Sequence, residues 1–231
     1  MNTKAKAFLV DYLPILLLAP VIIGSGALAG QAVYKIIPAV VTLFVVLLSS
    51  KLYRIAFLLG AANCILYSIG YFADGLYGSV LSTLVTGVPL QVIGFFLWKR
   101  NAYKQATVFR VLKARWYPLL AAAVAALWAG VLYGANRAGG ANAMIALDSL
   151  LFALGLAITV LMMLAFVEGY ALNILNCALT SLMFAVLTAH STRNVTYLLV
   201  ALYTVFRTSL ALVNCLKMVR TQRAERLEAQ A

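Results

Sequence analysis

Apolar residues fill this chain in long blocks, separated by short stretches that are basic, glycine-rich or both. Eight blocks are long enough to cross a hydrocarbon core of roughly 30 Å as helices. They cover residues 7–29, 32–50, 55–73, 78–98, 117–135, 145–167, 170–189 and 195–216. The pattern therefore predicts an all-α integral membrane protein with eight transmembrane helices. Pro14, Pro20 and Pro38 fall inside the first two blocks, where neighbouring helices can satisfy the carbonyls they free.

Composition agrees. Of the 231 residues, 65% are apolar and only 10% are charged, against about half and a quarter in soluble domains. The net charge of +12 does not point to nucleic acid, because the basic residues sit between the apolar blocks. There they read as topology signals and as contacts to anionic lipid. With the N-terminus in the cytoplasm, Lys4, Lys6, Lys51, Arg54, Lys99, Arg100, Lys104, Arg110, Lys113, Arg115, Lys217, Arg220, Arg223 and Arg226 all fall inside. Only Lys35, Arg137 and Arg193 fall outside, and Arg207 lies within the last block. That asymmetry predicts an even number of crossings with both termini cytoplasmic. The segment Ala27-Leu28-Ala29-Gly30 only weakly mimics a leader-cleavage site, and the first block is read as retained. Asp11 sits close enough to the cytoplasmic end of that block to reach the interface. Residues Lys99–Arg115 read as a basic loop or a short surface helix, Gly134–Gly140 as a flexible outside connection, and the tail after Arg220 as solvated.

A few polar side chains interrupt the apolar blocks. Asn63 and Gln91 stand near the middle of consecutive blocks, joined through an Asp74-Gly75 turn. A carboxamide in hydrocarbon is costly unless satisfied, so the two either form a polar site or tie helices together. Asn63-Cys64-Ile65-Leu66-Tyr67-Ser68 is echoed by Asn176-Cys177-Ala178-Leu179-Thr180-Ser181. The copies sit at matching places in two three-block units that enter the membrane in the same direction. That predicts a parallel repeat of the type found in SWEET sugar transporters. The chain then divides into an extra N-terminal helix (1–30), a first repeat with its basic loop (31–115), a linker helix (116–140), a second repeat (141–219) and a charged tail (220–231).

On this plan the candidate substrate-binding residues are Asn63, Tyr67, Gln91, Trp128, Asn173, Asn176, Tyr203 and Arg207. Asn173 and Asn176 share a helix face, Tyr67 lies one turn beyond Asn63, and Tyr203 one turn before Arg207. Amides both donate and accept, and aromatic rings stack on flat heterocycles or hold cationic ones. Trp98 reads as an interfacial anchor, and Trp128 as a stacking or packing residue. An intramembrane arginine is rare and is functional or paired. Glu168 and Asp148 are the candidate partners of Arg207, with backbone carbonyls as the alternative. Cys64, Cys177 and Cys215 have no metal-ligand spacing and read as small buried residues. No nucleophile elbow, phosphate loop or His/Glu metal pair is present, and His190 is the single histidine. No enzyme activity, cofactor or metal is expected.

One resemblance organises these features. Asn63 to Tyr67, Gly75-Leu76-Tyr77-Gly78, Pro89-Leu90-Gln91, Gly94 and Trp98-Lys99 closely resemble the PnuC family of bacterial nicotinamide riboside transporters, whose relatives carry thiamine or riboflavin. The resemblance is strongest over Leu52–Asn101 and weaker over Asp148–Met218, and the first block lies outside it. It implies a three-plus-one-plus-three helix plan in the inner membrane and facilitated diffusion of a small vitamin-like substrate. It further implies trapping of that substrate by cytoplasmic phosphorylation, and a homotrimer. Phe57-Leu58 stand where the family usually has Trp-Pro. That departure leaves open a thiamine or riboflavin carrier, or a scaffold or sensor that has lost transport. A SWEET-type sugar carrier is the further alternative.

Overall fold

The computed structural model describes residues 3–73, 80, 83–100, 102–103, 106–139, 143–190 and 195–228. The apolar blocks fold as helices: α1 (Thr3–Leu28), α2 (Val33–Ser50), α3 (Ile55–Ala73), α4 (Val88–Arg100), α5 (Tyr117–Gly139), α6 (Ala143–Met163), α7 (Val167–His190) and α8 (Val195–Glu228). Among the described residues six of them, α1, α2 and α5 to α8, are by themselves long and apolar enough to cross a membrane. Their large apolar side chains, such as Leu16, Leu17, Val33 and Leu182, lie exposed on the outer surface, as contact with lipid tails requires. The chain is thus a multi-pass helical membrane protein. Two short strands, β1 (Ala102–Tyr103) and β2 (Ala106–Thr107), pair antiparallel in the loop after α4.

Local structure departs from the apolar pattern at four places, three of them with a clear physical cause. A π-helical turn, Thr83–Gly87, leads into α4. Pro89 has no N–H to give the preceding turn, and a widened turn absorbs that break in the ladder. The stretch Gly134–Gly139 is helical, not a flexible connection. Arg137 donates to the Tyr133 hydroxyl at 3.1 and 3.0 Å and lies over its ring, closing a contact one turn apart. The tail after Arg220 continues α8 without a break to Glu228. The basic loop is neither plain nor a surface helix: it docks on the turn between α6 and α7 through a parallel bridge, Arg110 to Phe166. The Asp74-Gly75 turn lies outside the described residues.

Helix packing closes a ring. α2 packs on α3, α3 on α4, α4 on α6, α6 on α7, α7 on α8, and α8 back on α2. α1 lies outside the ring in the groove between α2 and α8, and α5 lies outside it on α6. An apolar cluster of Ile15, Ile22, Ile36, Leu43, Leu47 and Tyr203 fastens α1 to the ring. The hairpins α2–α3 and α6–α7 end in the same turn. In each, a residue with φ of 59°, Leu52 or Ala165, follows the helix. The Leu52 N–H donates to Ser49 O and the Tyr53 N–H to Leu48 O; the Ala165 N–H donates to Met162 O and the Phe166 N–H to Leu161 O. Both are Schellman caps with a side-chain-bearing residue in the left-handed position. The spacing from Leu52 to Ala165 equals that from Asn63 to Asn176.

Candidate functional site

The helix ends that carry Lys51, Arg54, Lys99 and Arg100 gather at one end of the bundle. The Trp98 indole there donates to Met162 O at 2.9 Å, and the Asn214 amide to Ser50 O at 3.1 Å. Just inside this basic end, a cavity of about 260 Å³ opens where all six ring helices meet. α2 contributes Val45, Val46, Ser49 and Ser50. Tyr53 and the α3 residues Ala56 and Phe57 follow, and α4 gives Gln91 and Trp98. α6 supplies Gly155, Ile158, Thr159 and Met162; α7 supplies Tyr170 and Asn173; α8 supplies Thr204, Thr208 and Ala211. None of these lining residues carries a formal charge, and none comes from α1 or α5.

Two carboxamides and four aromatic rings, those of Tyr53, Phe57, Trp98 and Tyr170, set the chemistry of this cavity. Gln91 packs against the backbone of Gly60, where a Cβ would fall 3.0 Å from its Oε1. Asn173 donates to the Thr208 hydroxyl at 3.4 Å, across α7 and α8. Trp98 is 2% exposed, and Phe57 meets it edge-on at 4.9 Å. The Tyr170 hydroxyl is buried beside Ser49, outside hydrogen-bond geometry with any described residue. These groups offer donors, acceptors and ring faces to a flat polar ligand. Gly94 is needed for the arrangement, since a Cβ there would sit 2.8 Å from the Phe57 ring. Gly94→Ala is therefore expected to destabilise by about 1–3 kcal/mol through overpacking. Phe57→Leu in the same chain should recover part of that loss, as read by thermal unfolding in detergent.

Of the residues singled out from sequence, Gln91 and Asn173 line the cavity and the other six lie elsewhere. Asn63 and Tyr67 converge on Thr42 instead. Asn63 Nδ2 donates to Thr42 Oγ1 at 2.9 Å, and the Tyr67 hydroxyl lies 3.2 Å from the same oxygen. Thr42 gives its own proton to Pro38 O, so Tyr67 donates. Asn176 sits one turn beyond Asn173, away from the basic end. The Oδ1 atoms of Asn63 and Asn176 are both buried with no hydrogen-bond partner among the described residues. Trp128 joins α5 to α6 through Ala146 O at 2.9 Å. The Tyr203 hydroxyl faces Leu43 O at 3.4 Å, in the cluster under α1.

Arg207 is 1% exposed and pairs with Asp11 of α1 at 3.3 Å, not with Glu168 or Asp148. α1 runs alongside α8 and brings Asp11 level with Arg207. Glu168 is engaged by the basic loop, and Asp148 is exposed. The other oxygen of Asp11 binds Lys51 at 2.8 Å. That hydrogen bond, reinforced by charge attraction and opposed by desolvation, holds the Lys51 ammonium above its ordinary pKa. Trp98 is an interior residue and not an interfacial anchor. It shares that interior with Tyr170 and the Ser49-Ser50 pair, which the sequence reading passed over. Two spacings mark this face: Tyr170 and Asn173 are three apart, and Thr204 and Thr208 four apart.

Residues 32–213 match the family described as nicotinamide mononucleotide transporter. No curated protein matches the chain. Its fold is similar to a solved structure described as the crystal structure of the vitamin B3 transporter PnuC, with a TM-score of 0.73 and 21% identity over 92% of each chain. α1 precedes the matched residues and the end of α8 follows them, while the cavity lining and the basic loop fall within them. The chain accordingly belongs to the nicotinamide mononucleotide transporter family, the PnuC family of vitamin transporters.

Proposed function

We propose that this protein carries nicotinamide riboside, and not its phosphorylated form, across the bacterial inner membrane by facilitated diffusion. The observation that carries the reading is the cavity where six helices meet, lined by amides, hydroxyls and aromatic rings and, among the described residues, by no charged one. A buried phosphate without a cationic partner is strongly disfavoured. A cationic pyridinium can instead lie against Trp98, Tyr170 and Phe57 through cation–π attraction, with Gln91 and Asn173 offered to the carboxamide and ribose. At about 260 Å³ the cavity is near the lower bound of small-molecule sites, roughly 300 Å³, which suits a single nucleoside. A cargo that enters without phosphate is retained inside by phosphorylation in the cytoplasm.

The path continues through the second half of the bundle, past Asn63 and Asn176, whose unpartnered oxygens await a passing donor. Eight crossings with both termini cytoplasmic fit the concentration of lysine and arginine at one end. A parallel three-plus-one-plus-three repeat is supported by the order of the ring and by the two identical caps at matching positions. The divisions 31–115 and 141–219 are then the repeats and 116–140 the linker. The two repeats build one cavity per chain, so each protomer of a homo-oligomer, a trimer by resemblance, holds its own path.

Uptake into proteoliposomes tests the cargo. Saturable uptake of labelled nicotinamide riboside is expected, competed by unlabelled riboside and not by the mononucleotide. Saturable uptake of thiamine or riboflavin instead would reassign the cargo. No uptake of any of the three would end the transport reading.

A further inference from the structure

The cavity is closed at its basic end by an apolar cluster. Phe57, Trp98, Tyr170 and Ala211 belong to both, and one further aromatic in the cluster comes from a loop. Phe109 lies between α4 and α5, in a stretch whose charge pattern gives no reason for burial. It is nevertheless 5% exposed. Its ring meets Trp98 edge-on at 5.5 Å and lies 6.3 Å from Tyr170. Its backbone N–H donates to Gln222 Oε1 at 3.2 Å, far along α8 from the lining residues Thr204 and Thr208. Phe109 therefore stands behind the lining rings, on the side that faces the basic end.

Among the described residues, backbone and carboxylate bonds hold the loop. The Arg110 N–H donates to Ala165 O at 2.9 Å, and the Val167 N–H to Arg110 O at 3.0 Å. Glu168 Oε1 accepts from the Leu112 N–H at 2.9 Å and from the Tyr117 hydroxyl at 3.0 Å. The neighbouring connections at this end are short capped turns at Leu52 and Ala165, which cannot lengthen. The α4–α5 connection, between Arg100 and Tyr117, is longer than either.

We propose that Phe109 is the gate at the basic end of the path, and that Glu168 is the positioning residue that latches its loop shut. With the loop docked, the Phe109 ring backs Trp98 and Tyr170 and seals the cavity. When the Arg110 and Glu168 bonds open, the ring withdraws and cargo leaves past Trp98 and Tyr170 at the basic end. A carrier needs such a reversible seal on its release side. This assignment rests on the reading of the cavity as a transport site.

The test reads access without using the cargo. Thr204→Cys, in a background free of the three native cysteines, places a thiol in the cavity. A methanethiosulfonate reagent is then added from the basic end in inside-out vesicles. Phe109→Ala is expected to raise the labelling rate tenfold or more, and Glu168→Ala to raise it as well. Reagent added from the opposite side should show no change. A second variant works in the other direction. Arg110 and Phe166 are bridged in parallel, which sets strands about 4.8 Å apart, within the Cα separation of about 4.4–6.8 Å that a disulfide requires. Arg110→Cys with Phe166→Cys, oxidised before labelling, should lower the Thr204→Cys rate and riboside uptake at least tenfold, and reductant should restore both. An unchanged labelling rate in Phe109→Ala, or in the oxidised pair, overturns the gate. Changed labelling in a protein that never takes up riboside would overturn the cargo and leave the gate standing.

Discussion

Asp11→Asn is expected to remove about 3 kcal/mol of stability, seen as a large drop in melting temperature in detergent. Arg207 is 1% exposed, and both terminal nitrogens of its guanidinium face Asp11 Oδ1, at 3.3 and 3.4 Å. Taking the charge from Asp11 leaves a buried arginine without its counter-charge. Such a loss costs about 3–5 kcal/mol, and the 23% exposure of Asp11 favours the lower end. The cost belongs to the orphaned charge, so removing that charge as well should reverse most of it. Asp11→Asn combined with Arg207→Leu should melt close to the parent protein. Lys51→Ala, which breaks the more exposed half of the same cluster, should cost under about 1 kcal/mol. Equal stability of parent and Asp11→Asn would mean that the pair does not hold α1 to the ring. The pairing with Lys51 persists at neutral pH. On the lysine side, the raised pKa of Lys51 moves the loss to strongly alkaline conditions, above the ordinary 10.5.

This pair shows what a one-dimensional pattern leaves out. Long apolar blocks announced helices well, because a spanning segment must satisfy its own backbone and so must be helical wherever it is apolar. Gly134–Gly139 misled because helix propensity is a weak prior that context overrides; here the turn continues α5, with Arg137 held on Tyr133. Partners across the bundle were harder to see. Arg207 stood out by its residue type alone, but its partner lies on a helix outside the resemblance, and only packing in three dimensions brings Asp11 beside it. Depth was harder still. Asn63, Tyr67 and Asn176 lie one to two turns farther from the basic end than the cavity. Residue type signals polarity inside a span but not the level at which the helices part. Phe109 was hidden for the opposite reason, being one apolar residue in a charged loop.

Where the two halves are compared residue by residue, the cavity shows an exchange. Gly60 lies three residues before Asn63, and Asn173 three before Asn176, so in the proposed repeat the two occupy equivalent places on α3 and α7. Asn173 brings its own amide to the cavity. Gly60 has no side chain, and the Gln91 amide, reaching across from α4, fills the place against it. Each half thus delivers one carboxamide, from a different helix in each. In the proposed repeat, such an exchange of side chains suits an asymmetric ligand such as the proposed riboside, with a carboxamide at one end and a sugar at the other.

That exchange makes Gln91 the sharpest probe of the cavity. Gln91→Leu keeps approximate size while deleting both donor and acceptor. If the Gln91 amide binds cargo, the apparent affinity for riboside should fall tenfold or more, equivalent to about 1.4 kcal/mol, with the melting temperature nearly unchanged. Gly60→Ala reaches the same atom by another route. Its new methyl would sit 3.0 Å from Gln91 Oε1 and 3.1 Å from Cδ, so the amide must shift by a few tenths of an ångström while every polar group survives. A smaller loss of affinity, about threefold, is expected from such a displacement, by analogy with the sensitivity of oriented sites to small misplacement. Combining the two changes should add little to Gln91→Leu alone, because both act through one amide. The pattern to watch is therefore not either loss but their failure to add. Fully additive losses, or a fall in melting temperature with affinity intact, would make Gln91 a tie between α3 and α4 and leave recognition to Asn173 and the aromatic wall.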